Sequence, residues 1–375
     1  MFRNAYSYLI VFLILFVASP VLTQKHCFTK EAREQAEQTA KVWQEPDPGY
    51  DPVLGYNPNQ GVRPGALPVD SAGRALPLKC VANKDPSPGS GTTPKFYCSV
   101  PGVVDEGGDP IRYKVKTHFK GSEPNKRNGE VYGEFLSSRF SKALGFFADD
   151  EWVTDVTCPD CKKSLTKGFQ GASFSPFQPA AGVELSLGHG IDVNCDRKDS
   201  APLAPTLKEL EKDGTPRAEI DAFKLWLAFI DHGDTKSDNE KFACLDSKKN
   251  PDGSRVCKPG KAVYYVSDMG STFGYSTASE KKARLELWRK KDPIIVKDGK
   301  CYTTAKDVGD TQLSEEGRQL LANELQRLLD AERSSGLITR VFRASRNEER
   351  DAPPEAWTAE FNRKANMIIN AHCGQ

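Results

Sequence analysis

Two apolar runs in this chain each end abruptly in acidic and amide side chains. The first, Ala222-Phe-Lys-Leu-Trp-Leu-Ala-Phe-Ile230, is apolar almost all round, which predicts a buried helix. His232-Gly-Asp234-Thr-Lys236-Ser-Asp-Asn239 follows it directly. The second, Ala262-Val-Tyr-Tyr-Val-Ser267, predicts a strand and runs into Asp268-Met-Gly270. A rigid element that stops in a polar turn can hold an oxygen ligand in a fixed place. Asp268 and Asn239 together offer one carboxylate and one amide, which suits magnesium, a cation that prefers a few hard oxygens plus substrate phosphates. The competing expectation is that Asp231, Asp234, Asp238 and Asn239 simply cap the buried helix in a polar loop.

The rest of the chain orders itself around these runs. Residues 1–23 read as a secretory signal peptide: Arg3 precedes a short apolar stretch from Tyr8 to Ser19. No later segment approaches the roughly 18 apolar residues that span a bilayer. Residues 24–76 read as a polar helix from Lys30 to Trp43, then an irregular arm rich in Pro and Gly. Residues 77–160 alternate like strands around one helix. Within them, residues 111–119 put Tyr113, Val115 and Thr117 on one face and Arg112, Lys114, Lys116 and His118 on the other. The helix runs from Gly129 to Leu144 and stops at Gly145. Residues 161–375 are mainly helical, with helices expected over Ser314–Ser334 and Pro354–Ala371. The fold class expected is α+β and bilobal, β-rich first and helical second.

All ten cysteines follow the leader, which fits export to an oxidising compartment and a disulfide framework. Cys244 and Cys257 flank a polar turn and form an expected pair. Cys158-Pro-Asp-Cys161 leaves three readings: structural bridges, a redox pair, or half a zinc site. The net charge of +1 gives no bulk attraction to nucleic acid.

Further residues meet the demands of phosphoryl transfer, which needs positioning, charge neutralisation and a dry cleft. Asp234 is the candidate base, or the group that orients an acceptor hydroxyl, and Lys236 is the candidate contact to the transferring phosphoryl group. Gly89, Ser90, Gly91 and Thr92 form a turn whose adjacent N–H groups can cradle phosphate. Lys116 and Glu134 are the candidate pair that steadies the other phosphates, with Lys114 and Glu130 as rivals on the same faces. His232 is assigned no chemistry, and Gly270 is expected to let the chain turn.

Taken in order, Gly89-Ser-Gly91-Thr-Thr, Lys116, Glu134, His232-Gly-Asp234-Thr-Lys236-Ser-Asp-Asn239 and Asp268-Met-Gly270 resemble the protein-kinase-like superfamily. The pattern is closest to its atypical members, such as HipA-type, phosphatidylinositol and secreted Golgi kinases. The resemblance covers about residues 80–345 and implies ATP and Mg2+ as cofactors. It makes Lys116 and Glu134 the ion pair, Asp234 and Lys236 catalytic, and Asn239 and Asp268 the metal ligands. The chain departs from ordinary protein kinases in having Met269 at the centre of the D-x-G triplet and an insertion between Cys244 and Cys257. The expectation is a secreted or periplasmic phosphotransferase acting on an unknown protein or small-molecule hydroxyl. The alternative is a catalytically inactive binding protein of the cell envelope with the same fold.

Overall fold

A computed structural model describes residues 38–60, 67, 69–72, 76–82, 95–104, 110–116, 130–157, 169–176, 183–185, 207–210, 214–234, 239–245, 247–249, 255–274, 284–306, 308–345 and 352–374. The leader, Gly89–Thr92, Lys236, Cys158 and Cys161 lie outside the described residues, as do the side chains of Lys116 and Cys244.

The fold is α+β. Its first layer is a six-stranded sheet in the order β1-β5-β6-β4-β3-β2. The strands are β1 (Leu78–Lys79), β2 (Val81–Ala82), β3 (Lys95–Val104), β4 (Pro110–Lys116), β5 (Trp152–Thr157) and β6 (Phe169–Pro176). All neighbours are antiparallel except β1 and β5. β4 shows the period-2 burial expected: Tyr113 and Val115 are fully buried, while Lys114 between them is partly exposed. The inward side chains form a small core with Cys80, Cys98, Trp152 and Val156. A Cys80–Cys98 disulfide ties it together. β6 comes from beyond residue 160, so the sheet borrows a strand from the part of the chain expected to be helical.

Helix α1 (Glu130–Ala143) connects β4 to β5 and ends at Leu144-Gly145, where Gly145 takes the left-handed conformation (φ 89°). It packs on β5 and β6 but also belongs to the larger core of the helical part. That part contains α2 (Leu207–Leu210), α3 (Arg217–Phe229), α4 (Arg284–Arg289), α5 (Glu315–Ser335), α6 (Leu337–Ala344) and α7 (Pro354–Ile369). A second sheet, in the order β11-β8-β7, pairs β7 (Val183–Leu185), β8 (Glu240–Cys244) and β11 (Ala262–Val266). Two small antiparallel units complete the fold. One is the pair β9 (Ser247–Lys249) and β10 (Arg255–Cys257). The other is the sheet of β12 (Ile294–Lys297), β13 (Lys300–Thr303) and β14 (Gln312–Leu313).

The expected buried helix is α3, where every residue from Ile220 to Phe229 is buried. Aromatic rings hold the elements together. Phe361 of α7 lies 4.8 Å from Phe229 of α3 and 4.9 Å from Phe140 of α1, centroid to centroid. The Ser314 hydroxyl caps α5 by accepting from the Gly317 N–H, and Gly336 (φ 65°) closes the other end. A Cys301–Cys373 disulfide fixes the end of the chain to β13. Cys257 is disulfide-bonded; its pairing with Cys244 lies outside the described residues. No described helix is long and apolar enough to cross a membrane.

One element differs from expectation. The helix expected to reach Trp43 does not: Lys41 and Trp43 form isolated β-bridges to Val263 and Phe146. The backbone of this segment serves distant partners instead of its own turn. Tertiary pairing overrides the local preference for helix.

Candidate active site

The two polar segments that end the apolar runs meet. β8 and β11 pair in antiparallel register, with Val266 opposite Glu240. Just beyond that register, the Ser267 N–H donates to the Asn239 carbonyl at 2.7 Å, and the Gly233 N–H donates to the Ser271 carbonyl at 2.8 Å. Phe273 N–H reaches back to the Ile230 carbonyl at the end of α3. The loop after α3 and the turn after β11 are thus stitched together by main-chain bonds, which hold whatever side chains they carry.

Asn239 is buried, and its Nδ2 donates to the Asp234 carbonyl at 2.9 Å. That bond fixes the amide plane and ties Asn239 to the turn bearing Asp234. His232 lies beneath both segments. Burial pushes its pKa down to about 4, against the opposing pull of the Asp234 and Asp268 carboxylates, so the ring is neutral at pH 7.

Asp268 has φ 58°, a left-handed conformation that aspartate tolerates better than most residues. The turn after β11 therefore takes its unusual backbone at Asp268, and again at Phe273 (φ 52°) and Gly274 (φ 75°). Gly270, expected to supply the turn, is not in that region. It is needed for a different reason: a Cβ there would lie 2.0 Å from Cγ of Glu130. The approach is mutual. A Cβ on Gly133 would lie 2.5 Å from the Gly270 carbonyl oxygen and 2.9 Å from Thr272 Oγ1. Two glycines allow α1 to press directly on the Asp268 turn.

This contact brings three carboxylates together. Oxygens of Glu130, Glu134 and Asp268 all lie within 4.8 Å of one another. At that separation each pair of like charges costs roughly 3 kcal/mol at an effective dielectric of 20. A cation placed among them would relieve that repulsion. Glu134 is buried, and the other two are partly exposed. Glu134, Asp268 and Met269 line a small cleft with Ser138, Asp149, Glu151 and Val266. Beside it the Ser137 hydroxyl lies 2.9 Å from Thr272 Oγ1, a further link between α1 and the turn.

The structure brings Glu134, Asp268, Asn239 and Asp234 into one region. Lys116 is at the end of β4, opposite Lys95 of β3 and Ser173 of β6. The connection from β2 to β3 contains Gly89, Ser90, Gly91 and Thr92, which, like Lys236, lie outside the described residues. Glu130 stood in the sequence only as the rival of Glu134. At i and i+4 both face the same way, and both carboxylates lie beside that of Asp268. Asp149 and Glu151 carried no signal, because they reach the cleft through the fold.

No protein-family model matches this sequence, and no curated protein matches it. Among solved structures, it is similar to the Helicobacter pylori proinflammatory kinase CtkA at 10% identity and a TM-score of 0.44. That match covers 78% of this chain and 95% of the other.

Proposed function

We propose that this chain is a kinase-like phosphotransferase that uses Mg-ATP. The observation that carries the reading is the convergence of Asp268, Glu134 and the Asp234–Asn239 loop, drawn from three separate parts of the chain. The carboxylates of Glu130, Glu134 and Asp268 are hard oxygen donors that fit magnesium, and Asn239 lies on the segment bonded to Ser267 beside them. Asp268 and Asn239 would hold the ion, which when bound neutralises charge on the phosphates. Lys116 would sit against Glu134 and the phosphates nearer the sugar, and the Gly89–Thr92 turn would cover them.

The chain's own groups supply the rest. Asp234 accepts the proton of an acceptor hydroxyl, or orients that hydroxyl toward the phosphoryl group. Lys236 meets the charge on the group in transit. Neutral His232 does not offset the charge of Asp234 and Asp268. The acceptor is a hydroxyl of a protein or small molecule. Two disulfides among the described cysteines support an oxidising, exported setting.

The test is thermal unfolding with and without Mg-ATP. Ligand present at 100 times its Kd stabilises by about 2.7 kcal/mol, which raises the melting temperature by several degrees. Asp268→Ala should remove most of that rise. If no nucleotide with any divalent metal shifts the wild type, the phosphotransferase reading fails and a binding module remains.

A further inference from the structure

We infer that the segment from Ala40 to Gln60 is a built-in strap that sets where α1 stands relative to Asp268. It is seated in the protein rather than laid over it: Val42 is fully buried and Ala40 nearly so, both in the main core. Its grip is made of backbone bonds to three elements. Lys41 N–H donates to the Ala262 carbonyl at 3.0 Å, and Tyr264 N–H donates to the Lys41 carbonyl at 2.9 Å. Lys41 thereby completes β11, which is an edge strand in its own sheet. Further on, the Trp43 indole N–H donates to the Leu144 carbonyl at 2.8 Å, and Gln44 N–H to the Gly145 carbonyl at 3.0 Å. Leu144 and Gly145 are the C-terminal cap of α1. Between these two anchor points the N–H groups of Val42 and Trp43 donate to Glu219 in the first turn of α3, at 3.3 and 3.2 Å.

A second grip follows. Asp47 accepts from Gly49 N–H and Asn57 Nδ2, closing a loop whose Gly55 lies on buried Arg139 of α1. A Cβ at Gly55 would fall 0.8 Å from Arg139 Nη1, so the guanidinium occupies the space a side chain would need.

Asp268 follows one end of β11, and Glu130 and Glu134 sit in the first half of α1. The Gly133–Gly270 contact joins those ends. The strap joins the others, Ala262 of β11 to Leu144 and Gly145 of α1. Between them the middle of α1 is held by the Arg139–Glu151 and Ser141–Trp226 bonds. With the strap loosened, the C-terminal end of α1 loses its bonds to Trp43 and Gln44, and the spacing of its carboxylates from Asp268 is held less tightly. The functional consequence rests on the Mg-ATP reading; the mechanical one does not.

The experiment uses the full chain with Trp43→Phe and Glu219→Gln together, and Trp43→Phe alone as a milder variant that keeps the ring. Neither residue touches the site. Hydrogen exchange without nucleotide reads the joint, and Mg-ATP titration reads the site. Exchange of the α1 amides near Glu130 and Glu134 should quicken by about tenfold, and Mg-ATP should bind about tenfold more weakly. Leu325→Val in α5, a core change that removes no hydrogen bond of the strap, should lower stability without either effect. Unchanged exchange in α1 overturns the strap. So does quickened exchange with Mg-ATP binding unaltered. If exchange quickens but the wild type binds no Mg-ATP, the strap stands and the proposed activity falls.

Discussion

α1 and α5 are both long helices of this protein, and they are held in opposite ways. In α5 the buried positions follow a stripe, with Leu321, Leu325, Leu328 and Leu329 inward and the charged side chains other than Arg318 on its exposed and half-buried faces. In α1 only Glu130 and Lys142 of its 14 residues escape burial, and the interior includes Glu134, Ser137, Ser138, Arg139 and Ser141. Those polar groups are matched one by one to distant partners. Arg139 donates to the Glu151 carbonyl at 2.8 Å, and the Trp226 indole donates to Ser141 Oγ at 2.8 Å. A stripe is satisfied by any apolar neighbour. A buried polar helix is satisfied by one arrangement only, because each unmatched group costs about 1–3 kcal/mol. α5 gives stability, and α1 gives position.

Four measurements can break or sharpen that contrast. The largest effect is expected for Leu325→Ala, which removes a fully buried side chain and should cost about 2–5 kcal/mol in urea unfolding. Any nucleotide-dependent shift should survive it; if that shift vanishes, the two helices are not separable. Next is acid. The pKa of His232 falls from 6.5 unfolded to about 4 folded, so the folded state binds the proton less readily. Its contribution is intact above pH 6.5 and lost as pH falls toward 4, by roughly 3 kcal/mol in all. Wild type and His232→Leu, compared between pH 7 and 4, should differ in slope by that amount; equal slopes refute the assignment.

Gly133→Ala should cost about 1–3 kcal/mol, because α1 must back away from the Gly270 carbonyl. Its effect on Mg-ATP binding should exceed that of Leu325→Ala although its stability loss is smaller. The reverse order would deny α1 its positioning role. The smallest effect, about 1 kcal/mol, belongs to Ser314→Ala, which removes the cap of α5. It should leave the site untouched.

The contrast also explains what could be read in advance. α3, α5, α7, β4 and β11 announced themselves through periodicity, caps and turn residues, since each is governed by its own sequence neighbours. The candidate site residues Asp234, Asn239, Glu134 and Asp268 stood out by type and spacing. Three features did not. Lys41 to Trp43 carry helix-compatible residues yet lie extended, because β11 and Gly145 offer their backbone better partners. Gly270 marked a tight place but not its cause, a glutamate on another element. Glu130 was visible only as an alternative to Glu134, since spacing shows that two residues share a face but not that both are used.

The sequence by itself determined the strongly periodic helices and strands and which residue types stand at their ends, because those depend on neighbours within a few positions. Only the tertiary structure decided that Glu130, Glu134 and Asp268 share one small volume, and that the segment before the sheet ties their supports together. The physical reason is that close packing of Gly133 on Gly270, and the matching of buried polar groups, are properties of pairs that lie far apart along the chain.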